Sequence, residues 1–177
     1  MTNETNNNST RTEKWRNRAF NVLLFCVCAA IVLGVRAWHK RDTVSGPAPA
    51  LQGITLTGQT YILPAHPGHP VLVHFLATWC PVCRAEQGSI AAIAHDDPHV
   101  ITVAMQSGKS EEIAKYMQEQ GIDFPVVNDA DGSLSSAWGI TGVPASFIIA
   151  PGGQIRYVEV GYTTGIGLRL RLWLAGR

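Results

Sequence analysis

The sequence predicts an α/β domain with a largely parallel central sheet, preceded by one transmembrane helix. Apolar runs of strand length alternate with segments of helical pattern, with strands at 71–77 and 100–105 and helices at 81–95 and 110–120. Strands that are buried on both faces and alternate with helices form parallel sheets. A separate uncharged run of seventeen residues, at 19–35, precedes all of these elements.

Length and charge limit the architecture further. The 177 residues, of which 46% are hydrophobic, are enough for one domain of ordinary size and a short additional segment. Residues 1–41 contain seven Lys and Arg against two Glu, whereas residues 42–177 contain seven against eleven Asp and Glu. A basic segment before an acidic domain indicates a neighbouring membrane and argues against a nucleic-acid-binding domain.

The first forty residues divide into a tail and an anchor. Residues 1–18 are rich in polar side chains and lack apolar periodicity, so we expect a disordered tail. Residues 19–38 are the predicted transmembrane anchor, because seventeen residues of helix cover about 25 Å of a hydrocarbon core about 30 Å thick and residues 36–38 complete the span. A cleaved signal peptide is the alternative, since Val35 and Ala37 are small residues at positions that suit a signal peptidase.

The remaining chain is predicted to contain a linker and one folded domain. Residues 39–50 end in a stretch rich in Pro, Gly and Ala that predicts an extended spacer, and the domain is predicted at 51–177. Alternation of apolar and polar residues about Gly58 predicts a β-hairpin at 54–63. A second hairpin is predicted at 143–160, where two strand patterns flank Pro151-Gly152-Gly153.

The candidate chemistry lies in the segment Trp79-Cys80-Pro81-Val82-Cys83. Because Cys80 follows a strand and Cys83 lies in a helix that is just beginning, both sulfurs are expected near one helix N-terminus, where a disulfide closes easily. The helix terminus stabilises a thiolate, so we expect Cys80 to attack a substrate disulfide and Cys83 to resolve the mixed disulfide. Pro81 suits the first helical position, where its missing N–H would be unpaired anyway.

Two cysteines at this spacing also occur in structural zinc sites and in haem attachment sites. A zinc site of this kind is usually completed by a second CxxC pair, and none follows. A haem attachment motif would have His where this chain has Arg84. The sequence therefore predicts neither a metal nor a cofactor.

Two segments, LVHFLATWCPVCRAE at 72–86 and GVPASFII at 142–149, together resemble the thioredoxin fold. More narrowly, they are similar to the membrane-tethered TlpA/ResA-like thiol-disulfide oxidoreductases of the bacterial cell envelope, and WCPVC with His74 resembles the suppressor-of-copper-sensitivity D type. The resemblance covers about residues 51–174. It implies a central mixed sheet flanked by helices, an N-terminal β-hairpin extension, and a C-terminal helix in the segment 165–176, where the alternating leucines at 168–174 by themselves favour a strand.

The resemblance also implies roles for residues around the dithiol. A cis Val143–Pro144 peptide bond is expected beside the cysteines, where the backbone of Val143 would bind substrate. Trp79 and Pro81 are expected to contribute to the same substrate-binding surface.

Two titratable residues near the motif each have two interpretations. Glu86 matches the family's CxxE position and is expected to supply or relay protons at the dithiol; alternatively, it complements the helix dipole. His74 stands where thioredoxins have a buried acidic residue. Its imidazole either shuttles protons near neutral pH or is a hydrogen-bonded histidine of the core.

These features predict a protein-disulfide oxidoreductase anchored in the inner (cytoplasmic) membrane, with its catalytic domain in the periplasm. A cytoplasmic domain would have soluble reducing systems nearby and no need of a tether. We expect it to reduce disulfides of protein substrates with electrons from a transmembrane thiol donor. One alternative is a cytochrome c maturation reductase, although those proteins usually have an acidic residue where this chain has Ala145. Another is a Cu(I)-binding chaperone that uses the thiolates with His66 and His69.

Overall fold

Residue 18, residues 21–27 and residues 45–177 are described by the computed structural model of the chain, and residues 21–27 are helical. The chain divides into two units, Met1–Trp38 and His39–Arg177. Within the described ranges, no helix has both the length and the apolar character needed to cross a membrane. The predicted tail, the anchor at 19–38 and the alternative signal peptide lie mostly outside those ranges.

A six-stranded mixed sheet forms the centre of the second unit. Its strands, in chain order, are β1 (Gly46–Pro47), β4 (Val71–Leu76), β5 (Val100–Met105), β6 (Val126–Asp129), β7 (Ala145–Ile149) and β8 (Gln154–Val160), while β2 (Gln52–Ile54) and β3 (Thr60–Ile62) form a separate hairpin. The spatial order is β1-β8-β7-β4-β5-β6. Strands β4, β5 and β6 are parallel, whereas β7, β8 and β1 are antiparallel to their neighbours. The predicted mixed sheet and both predicted hairpins are confirmed.

Four helices pack around this sheet: α1 (Pro81–Asp96), α2 (Ser110–Gln120), α3 (Ser133–Ala137) and α4 (Gly165–Ala175). Strand β4 is buried along its whole length because both of its faces are covered. Leu72 and Leu76 belong to a core cluster that includes residues of α1, α2 and α4. Val73 and Phe75 point to the opposite face, where Phe75 packs against Trp138. Burial on both faces explains why this strand is an uninterrupted apolar run in the sequence.

Strand β1 lies inside the segment that the sequence predicts to be a linker. Gly46 and Pro47 pair with Ile155 and Gln154 at the edge of the sheet. An edge strand tolerates proline because one side of its backbone needs no hydrogen-bonded partner. The sheet therefore begins before the predicted domain boundary, although the composition of its first strand is typical of a spacer.

The C-terminal segment is a helix, as the family resemblance implies and the alternating leucines do not. The side chain of Thr164 caps α4 by accepting a hydrogen bond from the Gly167 amide. Leu168 and Leu172 are buried, whereas Leu170 is exposed on the other side of the helix. Leucines on both sides of one helix produce the two-residue alternation that otherwise indicates a strand.

Gly153 occupies a position that only glycine fits, in the turn between β7 and β8. Its φ is +81°, and a Cβ atom there would overlap the carbonyl oxygen of Ala65. We expect Gly153→Ala to lower the free energy of unfolding by about 2 kcal/mol or more. The substitution would both strain the left-handed backbone of residue 153 and displace the backbone at Ala65. Gly152→Ala is the matched control, because a Cβ at Gly152 meets open space. Urea titration of both variants measures the difference, and equal losses would show that the turn tolerates a side chain.

Candidate active site

The two cysteines lie where β4 passes into α1. Cys80 is the N-cap residue of α1, with extended backbone (φ −88°, ψ 114°), and Pro81 occupies the start of the helix. The amide of Cys83 donates a hydrogen bond to Cys80 Sγ, with an N to S distance of 3.1 Å. Both cysteines are free thiols. The predicted placement of the dithiol at a helix N-terminus is confirmed.

The two thiols differ in electrostatics rather than in exposure. Cys80 is 4% exposed and Cys83 is 5% exposed, so burial of the residue does not distinguish the nucleophile. Burial raises the pKa of the Cys83 thiol well above its ordinary value, and Cys80 and the carboxyl group of Glu86 raise it further. Cys80 Sγ instead receives the backbone hydrogen bond that favours a thiolate. This asymmetry favours Cys80 as the attacking sulfur.

An apolar surface surrounds Cys80. Trp79 and Val82 are large hydrophobic side chains exposed to solvent, and Pro81, which follows Cys80 in the chain, is also exposed. The Val143–Pro144 peptide bond is cis, as the resemblance implies. The Cys80 thiol donates a hydrogen bond to the carbonyl oxygen of Val143, at an S to O distance of 3.5 Å. The residues expected to bind substrate are therefore gathered around one sulfur, and their binding role stays a prediction.

The loop after β5 holds the segment that precedes Cys80, a feature that the sequence analysis missed. The indole Nε1 of Trp79 donates to the Gln106 carbonyl at 3.1 Å, and the Thr78 amide donates to Ser107 Oγ at 3.1 Å. Ser107 Oγ in turn donates to the Met105 carbonyl. Gln106 has a φ of +43°, an uncommon backbone conformation for a residue with a side chain. Gln106 and Ser107 are two polar residues directly after β5, the strand next to β4. This position is the signal in the sequence that could have indicated the contact.

Glu86 is a buried carboxyl group on the same side of α1 as Cys83. Its exposure is 0%, and neither carboxyl oxygen has a hydrogen-bond partner among the described residues. Burial raises the pKa of Glu86 to about 7; the nearby backbone amide of Thr163, although outside hydrogen-bonding geometry, partly offsets this shift. The first turn of α1 contains no acidic residue, so Glu86 does not complement the helix dipole from there. These facts favour the proton-transfer interpretation.

His74 is a hydrogen-bonded histidine of the core. Its Nδ1 lies 2.9 Å from Ser146 Oγ on the adjacent strand β7. Burial lowers the pKa of His74 to about 4, which keeps the imidazole neutral at physiological pH. Of the two interpretations of this residue, the structure favours the core histidine over a proton shuttle that works near neutral pH.

The other histidines do not form a metal site within the described part of the chain. His66 Nδ1 contacts the Gly152 carbonyl at 3.1 Å. The His69 ring stacks on the His99 ring with centroids 3.4 Å apart, and His99 Nδ1 lies 3.0 Å from Asp97. His95 and His99 have the HxxxH spacing that can complete a zinc site with a CxxC pair, and the sequence analysis overlooked this pair when it excluded zinc. Across the described residues, no group of three or more His, Cys, Asp or Glu side chains is arranged to hold a metal ion.

Comparisons with known proteins agree with this geometry. The AhpC/TSA family matches residues 44–158. The chain is 31% identical to the "Thioredoxin-like protein" of Haemophilus influenzae over 68% of this chain and 72% of that protein. It is 27% identical to the thiol-disulfide oxidoreductase ResA of Oceanobacillus iheyensis over 89% of each chain. The structure of a thioredoxin-family thiol:disulfide interchange protein from Chlorobium tepidum matches with a TM-score of 0.64 and 28% identity, over 76% of this chain and 98% of that one.

The difference between the two thiols predicts different alkylation rates. In the reduced chain at pH 7, Cys80 should react with iodoacetamide at least about tenfold faster than Cys83, because the raised pKa keeps Cys83 protonated. Mass spectrometry of the cysteine-containing peptides measures both rates in one sample. Equal rates would contradict the assignment of Cys80 as nucleophile.

The buried carboxyl group predicts how stability depends on pH. An unfolded chain releases the Glu86 proton near pH 4.5, whereas the folded chain holds it to about pH 7. The free energy of unfolding should therefore fall as pH rises from 4.5 to about 7, by about 3 kcal/mol from this group. Glu86→Gln should remove this dependence. Urea titrations of both reduced proteins at pH 4.5 and 7.5 test it, and parallel pH profiles would exclude Glu86 as the source.

Proposed function

The chain belongs to the AhpC/TSA family and is a protein-disulfide oxidoreductase with a thioredoxin-like fold, and on that premise we propose that it is a membrane-tethered reductant of protein disulfides in the periplasm. The anchor is the segment at 19–38, in the inner membrane, and the dithiol is Cys80 and Cys83. One observation carries the proposal. Cys80 Sγ accepts the Cys83 amide at the start of α1, while Cys83 has a raised pKa beside the buried Glu86.

The reaction proceeds in two exchanges. The Cys80 thiolate attacks one sulfur of a substrate disulfide; that S–S bond breaks, a mixed disulfide forms, and the released substrate thiolate takes up a proton. Cys83 then loses its proton and attacks Cys80 Sγ. The second substrate sulfur leaves as a thiolate that is protonated, and the Cys80–Cys83 disulfide forms. Two electrons have passed from the dithiol to the substrate.

Glu86 is the proton acceptor for the second exchange. The thiol of Cys83 needs a base because its raised pKa leaves little thiolate at neutral pH. A general base works best when its pKa lies near the working pH, and burial raises the pKa of Glu86 to about 7. His74, which has a lowered pKa and a hydrogen bond with Ser146, keeps a neutral ring in this mechanism.

Substrate docks on the apolar surface of Trp79, Pro81 and Val82 beside Val143. In the reduced chain, the Val143 carbonyl accepts a hydrogen bond from the Cys80 thiol. When Cys80 becomes a thiolate, this hydrogen bond is lost and the carbonyl is available to an N–H of an extended substrate segment. Deprotonation of Cys80 therefore both activates the nucleophile and frees the Val143 carbonyl to bind substrate.

The direction of electron flow is inferred from the residues between the cysteines. A strong oxidant stabilises its reduced thiolate, and a polar or cationic residue between the cysteines helps to do so. Val82 supplies neither charge nor a side-chain hydrogen bond. We therefore assign a moderate to reducing potential, with electrons delivered by a transmembrane thiol donor.

A few residues distinguish the proposed subgroup within the family from the two alternative functions. The WCPVC segment and His74 favour the suppressor-of-copper-sensitivity D type. A cytochrome c maturation reductase is disfavoured because Ala145 is a buried, uncharged residue of β7 directly after Pro144. For a Cu(I) chaperone, His66 would have to give up its contact with the Gly152 carbonyl, and His69 its stacking on His99. Stoichiometric Cu(I) binding without any disulfide exchange would establish the chaperone instead.

Equilibration with glutathione tests the direction. We expect the Cys80–Cys83 couple to have a potential well below the roughly −120 mV of strong periplasmic oxidants, because Val82 adds no stabilisation to the thiolate. Val82→His should raise the potential toward that value, while Ile62→His, at a residue of β3 that is 59% exposed, serves as a control outside the motif. A potential near −120 mV for the unsubstituted chain would reverse the assignment.

Carbonate extraction tests the tether. If residues 19–38 span the bilayer, the protein should stay in the membrane fraction at high pH and retain its N-terminal residues. A soluble mature form that begins near Trp38 would show instead that the segment is a signal peptide.

A further inference from the structure

Helix α4 has apolar side chains on two opposite sides. Leu168, Leu172 and Ala175 are buried against the sheet. The outer side carries four exposed side chains: Ile166, Leu170, Trp173 and Leu174, which are 83%, 54%, 53% and 40% exposed. Their spacing of four, seven and eight residues from Ile166 places them along one stripe of the helix. We call this stripe the outer face of α4.

Charges of both signs border the outer face, since Asp96 and Asp97 share one groove with Trp173 and Arg177, and Asp97 contacts His99 Nδ1 at 3.0 Å. Helix α4 contains no Asp or Glu. Arg169 pairs with Asp96 at 2.8 Å, and Arg171 pairs with Glu159 at 3.1 Å, so these two neighbouring carboxylates each have an arginine partner. The guanidinium group of Arg177 lies over the Trp173 ring, 3.6 Å from its centroid.

We propose that the outer face of α4 lies in the interface of an anionic lipid bilayer, with its apolar side chains at the boundary between headgroups and acyl chains. Interfacial helices combine Leu, Ile and Trp on one side with Arg at the edges, which is the composition of this stripe. At the edge of the stripe, the cationic Arg177 beside Trp173 can contact anionic headgroups. The short connection to the proposed anchor, rather than net charge, favours a lipid surface over a second copy of the chain.

The inference rests on the tether proposed above, because a tethered domain needs only a weak contact with lipid to stay on the bilayer surface. Strand β1 begins at Gly46, so with an anchor ending at Trp38 the connecting chain reaches about 28 Å at most. A domain held this close meets the bilayer at high effective concentration.

The course of α4 leaves the dithiol accessible in this arrangement. Its first residue, Gly165, lies beside Ser89, and the cap at Gly176 lies beside Pro70, which precedes β4. Cys80 lies beyond the other end of β4. The helix therefore runs away from the dithiol, and seating it on lipid holds Cys80 at a fixed height without covering it.

Depth-dependent quenching in vesicles tests the proposal on the full chain. The protein is reconstituted in phosphatidylcholine with phosphatidylglycerol, with part of the phosphatidylcholine brominated near the headgroup end of its acyl chains. The signal of Trp173 is the difference between the chain and its Trp173→Phe variant, and we expect bromination to reduce it at least about twofold. Ile166→Glu should abolish the quenching. Ile54→Glu is the matched control and should leave it unchanged, since Ile54 is 66% exposed in the β2–β3 hairpin.

The same vesicles separate failure of the inference from failure of the tether. The difference between the chain and its Trp38→Phe variant reports on the anchor. Quenching of Trp38 without quenching of Trp173 would overturn the α4 inference and leave the tether standing. Quenching of Trp173 without Trp38 would support α4 contact and contradict the anchor; quenching of neither would contradict both. An unquenched Trp173, with Ile166→Glu converting a dimer to a monomer in detergent, would assign the stripe to a second copy.

Discussion

One constraint positions the hydrogen bond from the Cys83 amide to Cys80 Sγ: only residues 77–80 separate a strand that is buried on both faces from the start of a helix. Strand β4 packs into core clusters on both faces and pairs with β5 and β7, so its register, and with it the position of Cys80, is fixed by contacts several residues away. Pro81 then starts α1 without losing a hydrogen bond. The Cys83 amide at the helix terminus is thereby directed at Cys80 Sγ, and the proposed chemistry follows from this contact.

Burial shifts the pKa values of acids and bases in opposite directions, so of the two buried groups Glu86 and His74 only one exchanges a proton near neutral pH. Removing water raises the pKa of Glu86 to about 7 and lowers that of His74 to about 4. A carboxyl group thus becomes able to exchange a proton at neutral pH, while an imidazole loses that ability. An acidic residue in place of His74 would have been a second buried proton acceptor; this chain has a neutral hydrogen-bonding group there.

Local pattern predicted the elements that carry the site but not what surrounds them. The strand, the helix start and the two sulfurs could be read from consecutive residues. The complete burial of Glu86 could not, because spacing assigns a helix face without saying how deeply that face is covered. The contact from Trp79 to the Gln106 carbonyl joins residues 27 positions apart and depends on β4 and β5 being neighbours. The C-terminal helix needed the family resemblance, because leucines on both of its sides imitate a strand.

The most direct test of the account is to trap its mixed disulfide. Full-length Cys83→Ala and Cys80→Ala variants are compared for covalent complexes with envelope proteins on non-reducing gels. The account predicts complexes with Cys83→Ala, held through Cys80 and released by dithiothreitol, and none with Cys80→Ala. Complexes that accumulate with Cys80→Ala and not with Cys83→Ala would contradict the assignment of Cys80 as the attacking sulfur.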